Sequence, residues 1–225
     1  MENLKLYNSS NLSVFLEFID KYYPKVNIKE VLDYASITQF EIFDAGHWFN
    51  QDQIDRFYEI LVQKTGNSNL AREAGRFIAE SKSSAILRQY AAGFATPAIA
   101  YWMLEKIGSL ISKHIMVKVN SLSSNKVEII ATPRTADIKE KPYQCENRIG
   151  LFEALAKVFT DKYAHIDHYE CIHKGDVCCR YIVTWVMTPA IIWKLIANYI
   201  TVLGIALAIV LLFFLPLKTW LICPF

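Results

Sequence analysis

The chain has 225 residues, of which 53% are hydrophobic and 13% aromatic, with 24 Lys and Arg against 22 Asp and Glu. That length suits one compact domain with a helix to spare, and the aromatic content is too high for a disordered chain. A formal net charge of +2 supplies no basic field of the strength nucleic-acid binding needs, so nucleic acid is excluded as an expected partner.

Apolar residues recur at helical spacing through Val14, Phe15, Phe18, Ile19 and Tyr22, and Pro24 ends that helix. A second short helix is predicted over residues 28–34. Asn50 and Gln53 have the spacing of a capping box, Ile54, Phe57, Tyr58 and Leu61 follow on one face, and Gly66 stands just past the end. Residues 71–81 and 85–92 read as further helices. Thr96-Pro97 then opens a long helix with Ile99, Trp102, Met103, Ile107, Leu110 and Ile111 as its apolar face.

The period then changes from helical to alternating. Residues 115–119 and 126–132 are β-favouring runs joined by a polar stretch, which predicts a hairpin. A polar, proline-bearing loop at 133–142 leads to another amphipathic helix through Ile149, Phe152, Leu155, Ala156 and Phe159. Two more strands, 165–171 and 179–185, turn through His173-Lys174-Gly175-Asp176. Two hairpins separated by a helix pair most simply as a four-stranded antiparallel sheet with helices on one face, so the expected fold class is α+β.

Residues 195–217 carry no charge, Lys194 and Lys218 flank them, and Trp193 and Trp220 lie near the ends. Crossing a hydrocarbon core of roughly 30 Å takes about 20 helical residues, so this segment is expected to be a single transmembrane helix. No basic start with an apolar run and cleavage site opens the chain, and five cysteines, all after residue 144, do not form a secreted disulfide framework. The expected placement is single-pass, with the main domain in the cytoplasm.

Cys145, His168, Cys171 and Cys179 supply three thiols and an imidazole, a ligand set suited to structural Zn²⁺. Small buried cysteines are the competing reading, and His165 is a competing histidine. His168 stands three positions before Cys171, on the opposite face of a regular strand, so sharing a metal needs a bulge between them. Cys178 must point away from Cys179 for the same reason.

The segments Cys145-Glu146-Asn147-Arg148-Ile149-Gly150, Glu153-Ala154-Leu155 and Cys171-Ile172-His173-Lys174-Gly175-Asp176-Val177-Cys178-Cys179-Arg180-Tyr181 resemble the 4-vinyl reductase domain family, over roughly residues 68–185. The helices before them resemble the N-terminal extension of bacterial membrane-associated sensor kinases. The resemblance implies a fold of the TRAPP-like and haem nitric-oxide-binding-like group. It divides the chain into an extension at 1–67, an α+β ligand-binding domain at 68–187 and the membrane helix at 193–217. In the related phenol- and xylene-type regulators, zinc is held by three cysteines and an acidic residue. Cys145, Cys171 and Cys179 coincide with those cysteines, while His168 takes the acidic position.

The resemblance also implies a small-molecule effector of aromatic type. Tyr90, Phe94, Tyr101 and Trp102 are the candidate pocket residues in this sequence and His47-Trp48 a further candidate, with ordinary core packing of helix-spaced aromatics as the competing reading. The expected function is a non-enzymatic sensory input module that couples a small molecule or a redox signal to a kinase or cyclase output, in cis or in trans, with a homodimer as the expected assembly. A tail-anchored dimerising scaffold is the alternative. A vinyl-tetrapyrrole reductase is a third reading, weakened because no glycine-rich dinucleotide fingerprint occurs among the eight glycines.

Overall fold

Asn8 opens the first helix by accepting a hydrogen bond from the Ser10 N–H, and Asn27 caps the second in the same way. Such side-chain oxygens satisfy amide donors that have no partner in the first turn. In the computed structural model, which describes residues 4–82, 89, 96–134 and 140–214, these caps start α1 (Ser9–Tyr22) and α2 (Ile28–Ala35). A short α3 (Gln39–Phe43) follows, held by a Thr38–Glu41 capping box. The Asn50–Gln53 box opens α4 (Gln51–Thr65), and Gly66 closes it at φ 67°, the left-handed region glycine enters without a Cβ penalty. Next come α5 (Leu70–Phe77) and, with Thr96 as its cap and Pro97 in its first turn, α6 (Pro97–Ile111). The helix expected at 85–92 lies, apart from Gln89, outside the described residues.

Two two-residue strands, β1 (Tyr7–Asn8) and β2 (Trp48–Phe49), pair ahead of α1 and α4. They are too short for any period to show in sequence. The main sheet is antiparallel and four-stranded, built from β3 (Ile115–Ser123), β4 (Lys126–Pro133), β5 (His165–Glu170) and β6 (Cys179–Thr184) in the order β3-β4-β6-β5. β3 runs on through the polar stretch expected to be loop. It is an edge strand, and its outer residues stay solvated.

Between β4 and β5 lies α7 (Pro142–Thr160), which starts at Pro142, so Cys145 sits in its first turn. One face of the sheet presents Val127, Ile129, Ala131, Cys179, Tyr181 and Val183, all buried. α7 packs beneath it with Phe152 edge-on to Tyr181. On its other side α7 meets α5 so closely that a Cβ on Gly150 would collide with the Arg72 carbonyl oxygen, and one on Gly75 with that of Asn147. Glu153, buried at this crossing, accepts hydrogen bonds from both Arg72 and Arg76. The N-terminal helices and the sheet thus belong to one unit, residues 1–186.

The second unit contains α8 (Pro189–Phe214), of which Pro189–Leu211 is long and apolar enough to cross a membrane.

Candidate functional site

Leu12 and Phe15 of α1, Ile54 and Phe57 of α4, Leu104 and Gly108 of α6, Val117 of β3 and Leu151 of α7 line a half-open cavity of about 150 Å³. The stacked pair Tyr58 and Tyr143, with ring centroids 4.0 Å apart, forms part of its wall. Each helix contributes one stripe of its apolar face, so the cavity exists only where four helices and a strand converge.

One end of this apolar space is polar. His114 is buried there, its Nε2 2.6 Å from Glu140 and 3.2 Å from the Tyr7 hydroxyl, and its Nδ1 2.7 Å from Ser112 Oγ. Arg148 closes a two-pronged bond on Glu140 at 2.5 and 2.7 Å. Gln144 donates to the Tyr7 hydroxyl at 2.6 Å, and that hydroxyl donates in turn to Gln51. Burial by itself raises the Glu140 carboxyl, but the Arg148 charge and the hydrogen bonds from His114 and Arg148 outweigh it and hold the group at about 2. Burial drives the Tyr7 and Tyr143 hydroxyls well above the usual phenol range, so both stay protonated donors.

Arg148 connects this end to the thiols. Its guanidinium also donates to Cys145 Sγ at 3.2 Å, and Cys145 Sγ lies 3.6 Å from Cys179 Sγ. The sulfurs of Cys145, Cys171 and Cys179 are mutually within 4.8 Å, and all three residues are buried. The hydrogen bond between Cys145 and Cys179 raises the first thiol and lowers the second. Glu140, Cys145 and His173 form a second cluster with donor atoms within the same reach.

The expected fourth donor, His168, does not join either cluster. A register shift does occur between His168 and Glu170, yet the His168 ring stacks on Tyr181 at 4.3 Å and its buried Nε2 has no hydrogen-bond partner. Cys178 points to the other face, where it donates to Glu170. The pocket expectation also needs correction. Tyr101 is fully buried, stacks on Trp185 and donates to the Phe152 carbonyl, so it is core packing. Trp102 is 53% exposed with Lys106 over its ring. Tyr90 and Phe94 lie outside the described residues. α6 turns Leu104 and Gly108 to the cavity instead, and α1 and α4 supply walls from what the sequence presents as a separate extension.

No protein-family model matches the chain, and no curated protein matches it in sequence. Solved structures do resemble it. An H-NOX protein from S. oneidensis in its Fe(II)NO ligation state superimposes at a TM-score of 0.62 with 12% identity, over 80% of this chain and 99% of that one. A single-residue mutant of the T. tengcongensis H-NOX gives 0.60 at 16%, over 81% and 99%. An oxygen-binding H-NOX domain related to soluble guanylate cyclases gives 0.60 at 14%, over 79% and 94%. The α+β fold is therefore H-NOX-like.

This likeness corrects the expectation of structural zinc. That expectation rested on a set of three thiols and an imidazole, from which His168 drops out, and on the regulator resemblance, which no family model supports, whereas the neighbours include a protein described by its haem redox potential and porphyrin distortion. Haem held through an axial histidine in turn does not fit the described residues. An axial histidine must offer the iron a free nitrogen. Of the five histidines only His114 lines the cavity, and both its nitrogens are engaged by Glu140, Tyr7 and Ser112. A cavity of about 150 Å³ holds one six-membered ring, not a macrocycle of four pyrroles.

Proposed function

We propose that the chain is a sensory module that binds a small, largely apolar molecule of aromatic type in the cavity between α1, α4, α6, α7 and β3, and passes that binding to a signalling output. The observation that carries this reading is a cavity of about 150 Å³ with apolar walls and one polar end. Dry cavities of that size accept benzene-sized molecules. Tyr7, His114 and Glu140 meet at the polar end, where they would orient a ligand that carries one polar substituent. The residues form a binding constellation. Glu140 and Arg148 are locked to each other as an ion pair, so neither is poised as a free acid or base.

In this reading α8 anchors the module in the membrane, and the output is a kinase or cyclase domain in the same protein or a partner. The main domain in this reading lies in the cytoplasm, where its cysteines remain thiols.

Calorimetric titration of the detergent-extracted full chain with toluene, phenol and benzoate tests the proposal. At least one ring compound should bind with micromolar to millimolar affinity. Gly108→Leu should abolish that binding without unfolding the protein, because a Cβ at Gly108 meets only Val117 at 3.7 Å and the added side chain would fill the cavity. Unchanged binding in that variant, or none in the parent, would overturn the reading.

A further inference from the structure

The thiols beside the cavity have a chemistry of their own. Cys145 lies in the first turn of α7 and Cys179 at the start of β6, 34 positions apart in sequence, yet their sulfurs lie 3.6 Å from each other. Cys171 approaches both within 4.8 Å, and Cys178, one residue from Cys179, faces the other way toward Glu170. All three clustered residues are at most 6% exposed. Thiol–disulfide exchange needs room for an attacking partner as large as glutathione, and this burial denies it. A water-sized oxidant is different. Arg148 and Glu140 line the cavity, and Arg148 touches Cys145 Sγ, so one side chain separates the cavity from the sulfurs.

We propose that Cys145 and Cys179 are a peroxide-oxidisable pair that closes to a disulfide and so gives the module a redox input next to its ligand cavity. One sulfur of the pair, as thiolate, attacks a peroxide oxygen. The O–O bond breaks, hydroxide leaves and takes a proton from solvent, and a sulfenic acid remains. The second sulfur then attacks the sulfenic sulfur, the S–S bond forms as the S–O bond breaks, and water departs with the remaining thiol proton. Two electrons pass from the two sulfurs to hydrogen peroxide, which becomes two waters. The product staples the start of α7 to β6 and weakens the sulfur acceptor that Arg148 uses, leaving Arg148 to Glu140 and the Tyr181 hydroxyl.

The test treats the extracted full chain with hydrogen peroxide, alkylates it under denaturing conditions and maps its peptides without reductant. A reductant-sensitive peptide linking Cys145 to Cys179 is expected, and Cys171→Ser should retain it. Cys178, half-buried and donating to Glu170 away from the cluster, is the internal control. Alkylation of both Cys145 and Cys179 at peroxide doses that oxidise Cys178 would overturn the proposal, as would a cross-link that uses Cys171 instead. The link between oxidation and the cavity rests on the ligand reading above. If Arg148 transmits it, the oxidised protein should bind its ring compound roughly tenfold less tightly, the equivalent of one charge-assisted hydrogen bond. Equal affinity in both states would remove that link. Absence of any binding to the reduced protein is the failure of the ligand reading, and the peptide map is independent of it.

Discussion

Glu140 is a residue whose role no local pattern announces. It stands in a polar stretch before a proline, a context that reads as solvated loop, but its carboxylate is buried under Arg148 and His114. Its folded-state value of about 2 lies below the ordinary 4.5, so the stability it contributes is complete above pH 4.5 and disappears as the pH falls toward 2. Between pH 5.5 and pH 3 the parent should lose about 2 kcal/mol through this group, and Glu140→Gln should lack that part of the slope. Urea unfolding of both proteins at the two pH values measures the difference, and parallel slopes would show that Glu140 is not held as its contacts require. The cysteines were more legible. Strand alternation predicts that Cys178 and Cys179 face apart, and they do, although Cys178 stands just before β6 rather than within it. Alternation could not decide where His168 points, because the register shift beside it and the stacking on Tyr181 depend on the neighbouring strand.

At the scale of elements, caps were readable and crossings were not. Asn50, Gly66 and Thr96-Pro97 act within one turn of their own helix, so their sequence context is sufficient. The α5–α7 crossing depends on Gly75 and Gly150, 75 positions apart, which face each other's backbones with no room for a methyl group. Gly150→Ala and Gly75→Ala should each destabilise the protein by about 3 kcal/mol, since the clash is with backbone and no side chain can swing aside. Gly66→Ala, where nothing lies within 4 Å and only the positive φ opposes a side chain, should cost about 1 kcal/mol. Denaturant midpoints of the three variants test this order, and a Gly66 effect as large as the other two would refute the close crossing. The same crossing carries the Arg72 and Arg76 bonds to Glu153, while the helices read from sequence as an extension are joined to α7 through Asp55, which accepts from Tyr143 and pairs with Lys141, and through Gln51, which donates to Gln144.

For the whole molecule, the uncharged run before Lys218 was sufficient to predict the last helix, since an apolar surface on every side of a helix this long has few soluble uses. The full chain should therefore sediment with membranes and resist alkaline carbonate extraction. Removal of residues 187–225 should abolish that association, and release of the intact chain by carbonate would refute the span. Fold class followed from sequence for a related reason. Helical and strand periods are written in residues a few positions apart, and two hairpins around a helix leave few ways to build one sheet. The cavity and the buried polar network belong to tertiary structure alone. They are made by side chains from α1, α4, α6, α7 and β3 that meet across more than a hundred positions, such as Tyr7 with His114. Periodicity tells which face of a helix is apolar. Whether that face fills its neighbour's groove or leaves a space the size of one ring is decided only when the elements pack together.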